Sequence, residues 1–297
     1  MKILLFGSNG QIGSELLRTL PPLGEIVAPP RSTVDFADAD RLRAVLQTQA
    51  PDIIVNAAAY TAVDRAESDE ATAFQVNAAA VEVLARYAHF NGSLLVHYST
   101  DYVFDGNRTA AYRELDATQP LNAYGRTKLA GEQAVQQGGC HALTLRTSWV
   151  FAAHGQNFIR TILGLAKERE QIDVVSDQIG APTSAELIAD VTALAIAAYH
   201  ADALPEGLYH LTASGSTSWY GLACYVVQQA RAHGAPLKLD LPGIRAVTSE
   251  NYRSAARRPR NSRLDCGKLS EKLGIRLPHW KAHVDRMLAQ IDYGKTA

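Results

Sequence analysis

Lys2-Ile3-Leu4-Leu5-Phe6-Gly7-Ser8-Asn9-Gly10-Gln11-Ile12-Gly13 is an apolar run that stops abruptly in a glycine-rich turn. The residues that follow space Ile12, Leu16, Leu17 and Leu20 three and four apart, which is one face of an amphipathic helix. Strand, tight turn and helix in that order need glycine for the turn, for close backbone approach to a pyrophosphate, and for helix–strand packing. The helix N-terminus then offers unpaired N–H groups and the positive dipole end to phosphate. A glycine triplet alone is common turn punctuation. Gly7, Gly10 and Gly13 between a strand and a helix predict a nucleotide site, with Gln11 and Ile12 beside it. The spacing is G-x-x-G-x-x-G rather than G-x-G-x-x-G.

Outward from that turn the pattern repeats. Glu25–Ala28, Ile53–Val55, Leu94–His97 and Ala142–Thr147 read as further short strands, separated by helical spacings such as Leu42, Val45, Leu46 and Phe74, Val81, Leu84, Ala85. Nearly all-apolar strands alternating with helices predict an α/β fold: a Rossmann-type, doubly wound parallel sheet covered on both faces. Residues 1–150 form the expected NAD(P)-binding domain. Residues 151–297 form a smaller α/β domain, mainly for substrate, with some segments free to return to the first. Phe158–Ala166, Glu186–Tyr199, Leu222–Ala232 and His279–Ile291 look helical, Ile172–Val175 and Leu208–Leu211 strand-like, and 234–263 mostly loop.

Composition narrows the function classes. The 297 residues carry 29 Lys+Arg against 30 Asp+Glu, so there is no electrostatic reason to expect a nucleic-acid or acidic-membrane partner. Three cysteines without Cys-x-x-Cys spacing exclude a disulfide framework and a structural zinc site, and fit a reducing compartment. The apolar run Ile3–Phe6 is too short for a secretory signal, and no stretch approaches the ~20 apolar residues of a membrane span. The expectation is a cytoplasmic protein.

An NAD-selective site places a carboxylate after the second strand, to hold the ribose hydroxyls. Here that strand ends Ala28-Pro29-Pro30-Arg31-Ser32, and the first carboxylate is Asp35. Arg31 facing a 2′-phosphate leans the reading toward NADPH, the bland alternative being a solvated loop arginine. Asp35-Phe36 is placed along the adenine.

Tyr124-Gly125-Arg126-Thr127-Lys128 begins a helical stretch, and residues four apart share a helix face. An ammonium there can lower the phenol's pKa and ease proton exchange with a substrate oxygen. Tyr-x-x-x-Lys is by itself a frequent accident. Ser99-Thr100-Asp101 at the carboxyl end of an apolar strand changes its meaning, because parallel sheets bind ligands there and the Thr100 hydroxyl can meet the same oxygen.

Gly7/Gly10/Gly13, Asn56-Ala57-Ala58-Ala59, Thr100 and Tyr124/Lys128 resemble an extended short-chain dehydrogenase/reductase. Five longer stretches resemble its dTDP-4-dehydrorhamnose reductase family: Asn56 to Asp64, Ser99 to Gly106, Arg146 to Val150, Gln178 to Thr183 and Arg258 to Leu264. The resemblance implies reduction of dTDP-4-dehydro-L-rhamnose at C4 by NADPH, with NADH also accepted. It makes Tyr124 the proton donor, Lys128 the holder of the nicotinamide ribose, and Thr100 the group that orients the carbonyl. It adds Ala59, Tyr60 and Thr61 to the cofactor contacts. On the substrate side it implies Thr100, Asp101, Tyr102 and Trp149, with Asn157, Arg258, Arg260 and Arg263 for the diphosphate.

Sugar-nucleotide dehydratases of the same superfamily follow the threonine with Asp-Glu, whereas here Asp101 precedes Tyr102. Epimerase-reductases set a cysteine beside the threonine, and none lies near Thr100 in sequence. A non-catalytic NADP-binding subunit, resembling the regulatory subunit of methionine adenosyltransferase, would not need an intact Tyr124/Lys128 pair. Reduction of another nucleotide 4-keto sugar remains the nearest enzymatic alternative. Resemblance also implies a homodimer with Mg²⁺ held by carboxylates at its interface, for which Glu15 and Glu186 are the matching positions and Gln290 or Asp292 stands at the third.

Overall fold

Ile3 and Leu5 face one side of the first strand, Leu4 and Phe6 the other, and all four are buried. The first pair packs with Leu16, Leu20, Leu187 and Ile188, the second with Leu42, Leu46, Val81 and Leu84, so helices cover both faces as the uninterrupted apolar strands predict. The structure is a computed structural model describing residues 1–291, and Asp292 therefore lies outside the described residues.

The main sheet runs Gly207–His210, Ala142–Thr147, Leu94–Thr100, Ile53–Asn56, Lys2–Phe6, Glu25–Val27, every neighbouring pair parallel. From Lys2–Phe6 the chain first moves outward to Glu25–Val27 and then returns to the other side, to Ile53–Asn56. The strand order thus reverses between Lys2–Phe6 and Ile53–Asn56, and a crevice opens beyond their carboxyl ends.

Beyond Trp149 the chain divides. Ala185–His200 packs on the helix Gln11–Thr19, and Gly207–His210 becomes an edge strand of the main sheet. Phe158–Glu168 and Trp219–Ala232 pack together, the latter against a parallel pair made of Ile172–Val175 and Ile244–Val247. Ile244–Val247 lies inside the stretch that reads as loop. It is only four residues long, and the partner that makes it a strand is far away in sequence. Among the described residues no helix is long and apolar enough to cross a membrane.

Candidate active site

Asn122 caps the helix Ala123–Gly138, its Oδ1 accepting the Gly125 N–H at 2.8 Å. Tyr124 and Lys128 therefore sit in the first turns, on one face. The neighbouring strand Leu94–Thr100 ends at Thr100, whose hydroxyl donates to Asp101 Oδ1 at 3.1 Å and accepts the Tyr102 N–H at 3.2 Å. The Tyr102 ring meets Tyr124 edge-on, with centroids 5.7 Å apart. Thr100, Asp101, Tyr102 and Tyr124 thus come together, with the Thr100 hydroxyl near enough to the Tyr124 phenol to shift it, and Lys128 follows one turn along the same helix.

Electrostatically the group differs from the sequence expectation. Lys128 is buried and donates from Nζ to the Tyr98 carbonyl at 2.6 Å, and burial lowers its pKa to about 8. Burial raises Tyr124 to about 12, the Thr100 hydrogen bond offsets this in part, and the Asp101 charge adds to it. The ammonium is not among the groups that shift the phenol in this arrangement; it points instead to the Tyr98 carbonyl. Asp101 is itself raised to about 7 by burial, against the pull of hydrogen bonds from Ser262 and Thr100. Near neutrality the site therefore holds a protonated phenol, an ammonium and a carboxyl close to its midpoint.

A cavity of about 490 Å³ lies at the crevice between Lys2–Phe6 and Ile53–Asn56. Its wall includes Gly7, Gly10, Arg31, Asp35, Phe36, Ala59 and Tyr60. Gly7 has φ +80°, and a Cβ on Gly13 would come within 2.0 Å of the Gly7 carbonyl oxygen, so the turn closes only with glycine at both ends. The concave, glycine-lined shape fits a dinucleotide diphosphate. Of the expected contacts, Gln11, Ile12, Gly13, Thr61, Tyr124 and Lys128 lie outside that wall. Gln11 turns its amide oxygen to Asn157 Nδ2 at 2.9 Å, Ile12 packs on the core, and Thr61 is exposed.

A larger cavity of about 880 Å³ is lined by Gln178, Trp219, Ser249, Tyr252, Arg258 and Arg260, among others. Tyr124 lines neither wall and is joined to each through neighbours. It shares a small apolar cluster with Tyr60 of the first cavity, and Tyr102 links it to Arg258 of the second. The structure separates Arg263 from the other two arginines: it lines a different cavity and donates to Asn261 Oδ1 at 2.8 Å. Asn157 is spent locally, capping Phe158–Glu168 and donating to Ala152 and Gln11. Trp149 adopts φ +49°, strained for a bulky residue, and stacks on Trp219 with centroids 3.5 Å apart. Trp219, rather than Trp149, faces the cavity, its indole N–H donating to Gln178 Oε1 at 3.1 Å.

Two groups escaped the sequence reading. Asn77 lies in a π-helical turn, Gln75–Ala79, accepts the Tyr60 N–H at 2.9 Å and donates to Thr127 Oγ1 at 3.1 Å. It thereby joins the wall of the smaller cavity to the helix Ala123–Gly138. The available signal was an asparagine on the apolar face of a helix, a position where burial requires partners. Trp219 gave no signal beyond its residue type.

Glu15 pairs with Arg18 at 2.9 Å and Glu186 with Arg286 at 3.0 Å. Among the described residues no three His, Cys, Asp or Glu side chains converge as a metal would require. The Mg²⁺ expectation thus finds its carboxylates neutralised by arginine in this chain.

Residues 1–293 match the family model for the RmlD substrate binding domain. The dTDP-4-dehydrorhamnose reductase of Escherichia coli (strain K12) is 48% identical, over 98% of each chain. That of Burkholderia thailandensis is 50% identical, over 95% of this chain and 96% of the other. A crystal structure of dTDP-4-dehydrorhamnose reductase from Bacillus anthracis str. Ames, in complex with NADP, superposes with a TM-score of 0.88. It is 32% identical, covering 98% of this chain and 99% of that one. The chain belongs to the RmlD family, that of the dTDP-4-dehydrorhamnose reductases.

Proposed function

We propose that the protein uses NADPH to reduce the C4 keto group of dTDP-4-dehydro-β-L-rhamnose, giving dTDP-β-L-rhamnose in the last step of its synthesis. The observation that carries this reading is Tyr124 beside Thr100, sharing an apolar cluster with Tyr60 of the glycine-lined cavity and meeting Tyr102, which reaches Arg258 of the larger one. NADPH, when bound, supplies the hydride. Gly7, Gly10, Arg31, Asp35, Ala59 and Tyr60 would hold it, with Lys128 on the nicotinamide ribose. Tyr124, kept protonated by its raised pKa, gives the proton to the carbonyl oxygen. Thr100 turns its hydroxyl from Asp101 to that oxygen and fixes its position. Arg258 and Arg260 grip the diphosphate, so that remote binding energy aligns the reacting carbonyl.

The direct test mixes purified protein, NADPH and dTDP-4-dehydro-β-L-rhamnose and follows NADPH absorbance through a single turnover. Stoichiometric loss of absorbance is expected. Stable absorbance with bound substrate would return the chain to the non-catalytic class.

The cofactor cavity carries a selectivity prediction. A charge-assisted hydrogen bond is worth roughly 1.5–3 kcal/mol, and at an exposed residue the lower end applies. Arg31→Ala therefore raises KM for NADPH about tenfold and leaves that for NADH unchanged. Equal effects on the two cofactors place Arg31 in solvent only.

The pH dependence follows from the two shifted groups. kcat/KM falls as pH rises through about 7, where Asp101 ionises and makes Tyr124 hold its proton more tightly. It falls again through about 8, where Lys128 loses its charge. Asp101→Asn removes the first step and leaves the second. For the second fall, unfolding of this group's surroundings is not the cause. Lys128 is depressed from 10.5, so between about 8 and that value the unfolded chain binds more protons and this group's contribution to stability rises with pH. A kcat/KM that is flat from pH 6 to 9 contradicts both assignments.

A further inference from the structure

The one-turn helix Val63–Ala66 contributes Arg65 to the wall of the smaller cavity and, through Asp64, holds two residues that line the larger one. Toward the cofactor cavity its flanks present Tyr60, Arg65 and Asp69, with the Tyr60 hydroxyl donating to Asp69 Oδ2 at 3.0 Å. Asp64 engages the other side. Its carboxylate accepts Arg258 Nη1 at 3.1 Å and Nη2 at 2.7 Å, and the Ala256 N–H at 3.0 Å. Arg258 and Ala256 both line the larger cavity. The same region anchors the catalytic helix: Glu67 accepts the Ala123 N–H at 2.7 Å, and Asn122 donates to the Arg257 carbonyl at 2.8 Å.

This arrangement prepares an anion site. An arginine that grips a phosphate loses rotamer freedom on doing so, and a residue that has already fixed it lowers that cost. Asp64 takes the end-on edge of the guanidinium and leaves the Nε edge for a ligand. The ion pair is half-exposed on the aspartate side, so its value lies in orientation more than in stability. Asp64 and Arg65 are neighbours on a single helical turn, closed by the Ala66 N–H on the Ala62 carbonyl at 2.9 Å, so a backbone shift at one is shared by the other. Ordering of Arg65 and its neighbours by a dinucleotide is therefore felt at Arg258.

We propose that Asp64 is a positioning residue: it pre-sets Arg258 for the diphosphate of the sugar nucleotide and makes that grip depend on an occupied cofactor cavity. The proposal rests on the reading that Arg258 meets the diphosphate. The test is calorimetric titration of dTDP, with and without saturating NADP⁺, into wild type, Asp64→Asn and Arg258→Ala. Wild type binds dTDP about fivefold more tightly, or better, when NADP⁺ is present. Asp64→Asn keeps an oxygen for the Ala256 N–H but loses the ion pair. It binds dTDP about tenfold more weakly in the presence of NADP⁺, and the ratio between the two conditions falls toward one. Its affinity for NADP⁺ alone is that of wild type, and in turnover KM for the sugar nucleotide rises by more than kcat falls. If Asp64→Asn does not fold, Arg258→Lys breaks the same two-point pair from the other side and carries the same expectations. Wild-type or tighter dTDP binding by Asp64→Asn, or an undiminished ratio, overturns the proposal, tighter binding marking the carboxylate as a competitor of phosphate. Unaltered dTDP binding by Arg258→Ala overturns the reading beneath it. Loss in Arg258→Ala without loss in Asp64→Asn overturns the Asp64 role alone.

Discussion

Tyr124→Phe binds NADPH like wild type and loses about 10²–10⁴-fold in kcat, the usual contribution of a positioned general acid. The phenyl ring keeps the apolar contacts with Tyr60 and the alanines around it, so the cofactor wall is retained. What disappears is the proton at that position, and neither Tyr102 nor Thr100 replaces it. Tyr102 is held above the ordinary phenol range by burial and by the Asp101 charge. Thr100 is a weak acid with its hydroxyl committed to Asp101. The measurement pairs cofactor titration by fluorescence with single-turnover rates, so that binding and chemistry are read apart. Turnover within about threefold of wild type removes Tyr124 from the proposed mechanism.

Arg146→Met destabilises the protein by about 3–5 kcal/mol. Arg146 donates from Nε and Nη2 to both oxygens of Glu132, at 2.8 and 2.6 Å, with the two side chains only 3% and 9% exposed. Its guanidinium also lies over the Phe104 ring, 4.9 Å from the centroid. Beside it His210 is kept neutral, down to about 3, by burial and by the arginine's own charge. Removing the arginine leaves a buried carboxylate without a counter-charge, which costs far more than the intact pair contributes. At about 2–4 °C per kcal/mol for a chain of this size, Tm falls by about 10 °C. The double variant Arg146→Met/Glu132→Leu recovers most of that loss, because nothing charged is then left buried. Scanning calorimetry reads both. An unchanged Tm in the single variant refutes the account.

That pair shows where sequence reading stops. Arg146 stood in a strand motif that carried the family resemblance, yet its partner lies on the catalytic helix, and no local pattern joins them. Several elements are local in their causes and were legible. The uninterrupted apolar run Ile3–Phe6, the glycine turn and the four-residue step from Tyr124 to Lys128 each depend on residues within a few positions of one another. Sequence alone therefore determined the doubly wound sheet and the place of its glycine turn, and it set Tyr124 and Lys128 on one helix face. The tertiary structure decided the rest, through contacts between distant segments. It brought Gly207–His210 back beside Ala142–Thr147, made Ile244–Val247 a strand, and turned Lys128 to the Tyr98 carbonyl. It also sent Arg263 to another cavity while setting Arg258 on Asp64, which is 194 residues away in sequence. Backbone propensity and apolar period act over one or two turns of chain. Charge pairing and burial act through space, and only the folded chain fixes which distant side chains come within hydrogen-bonding reach.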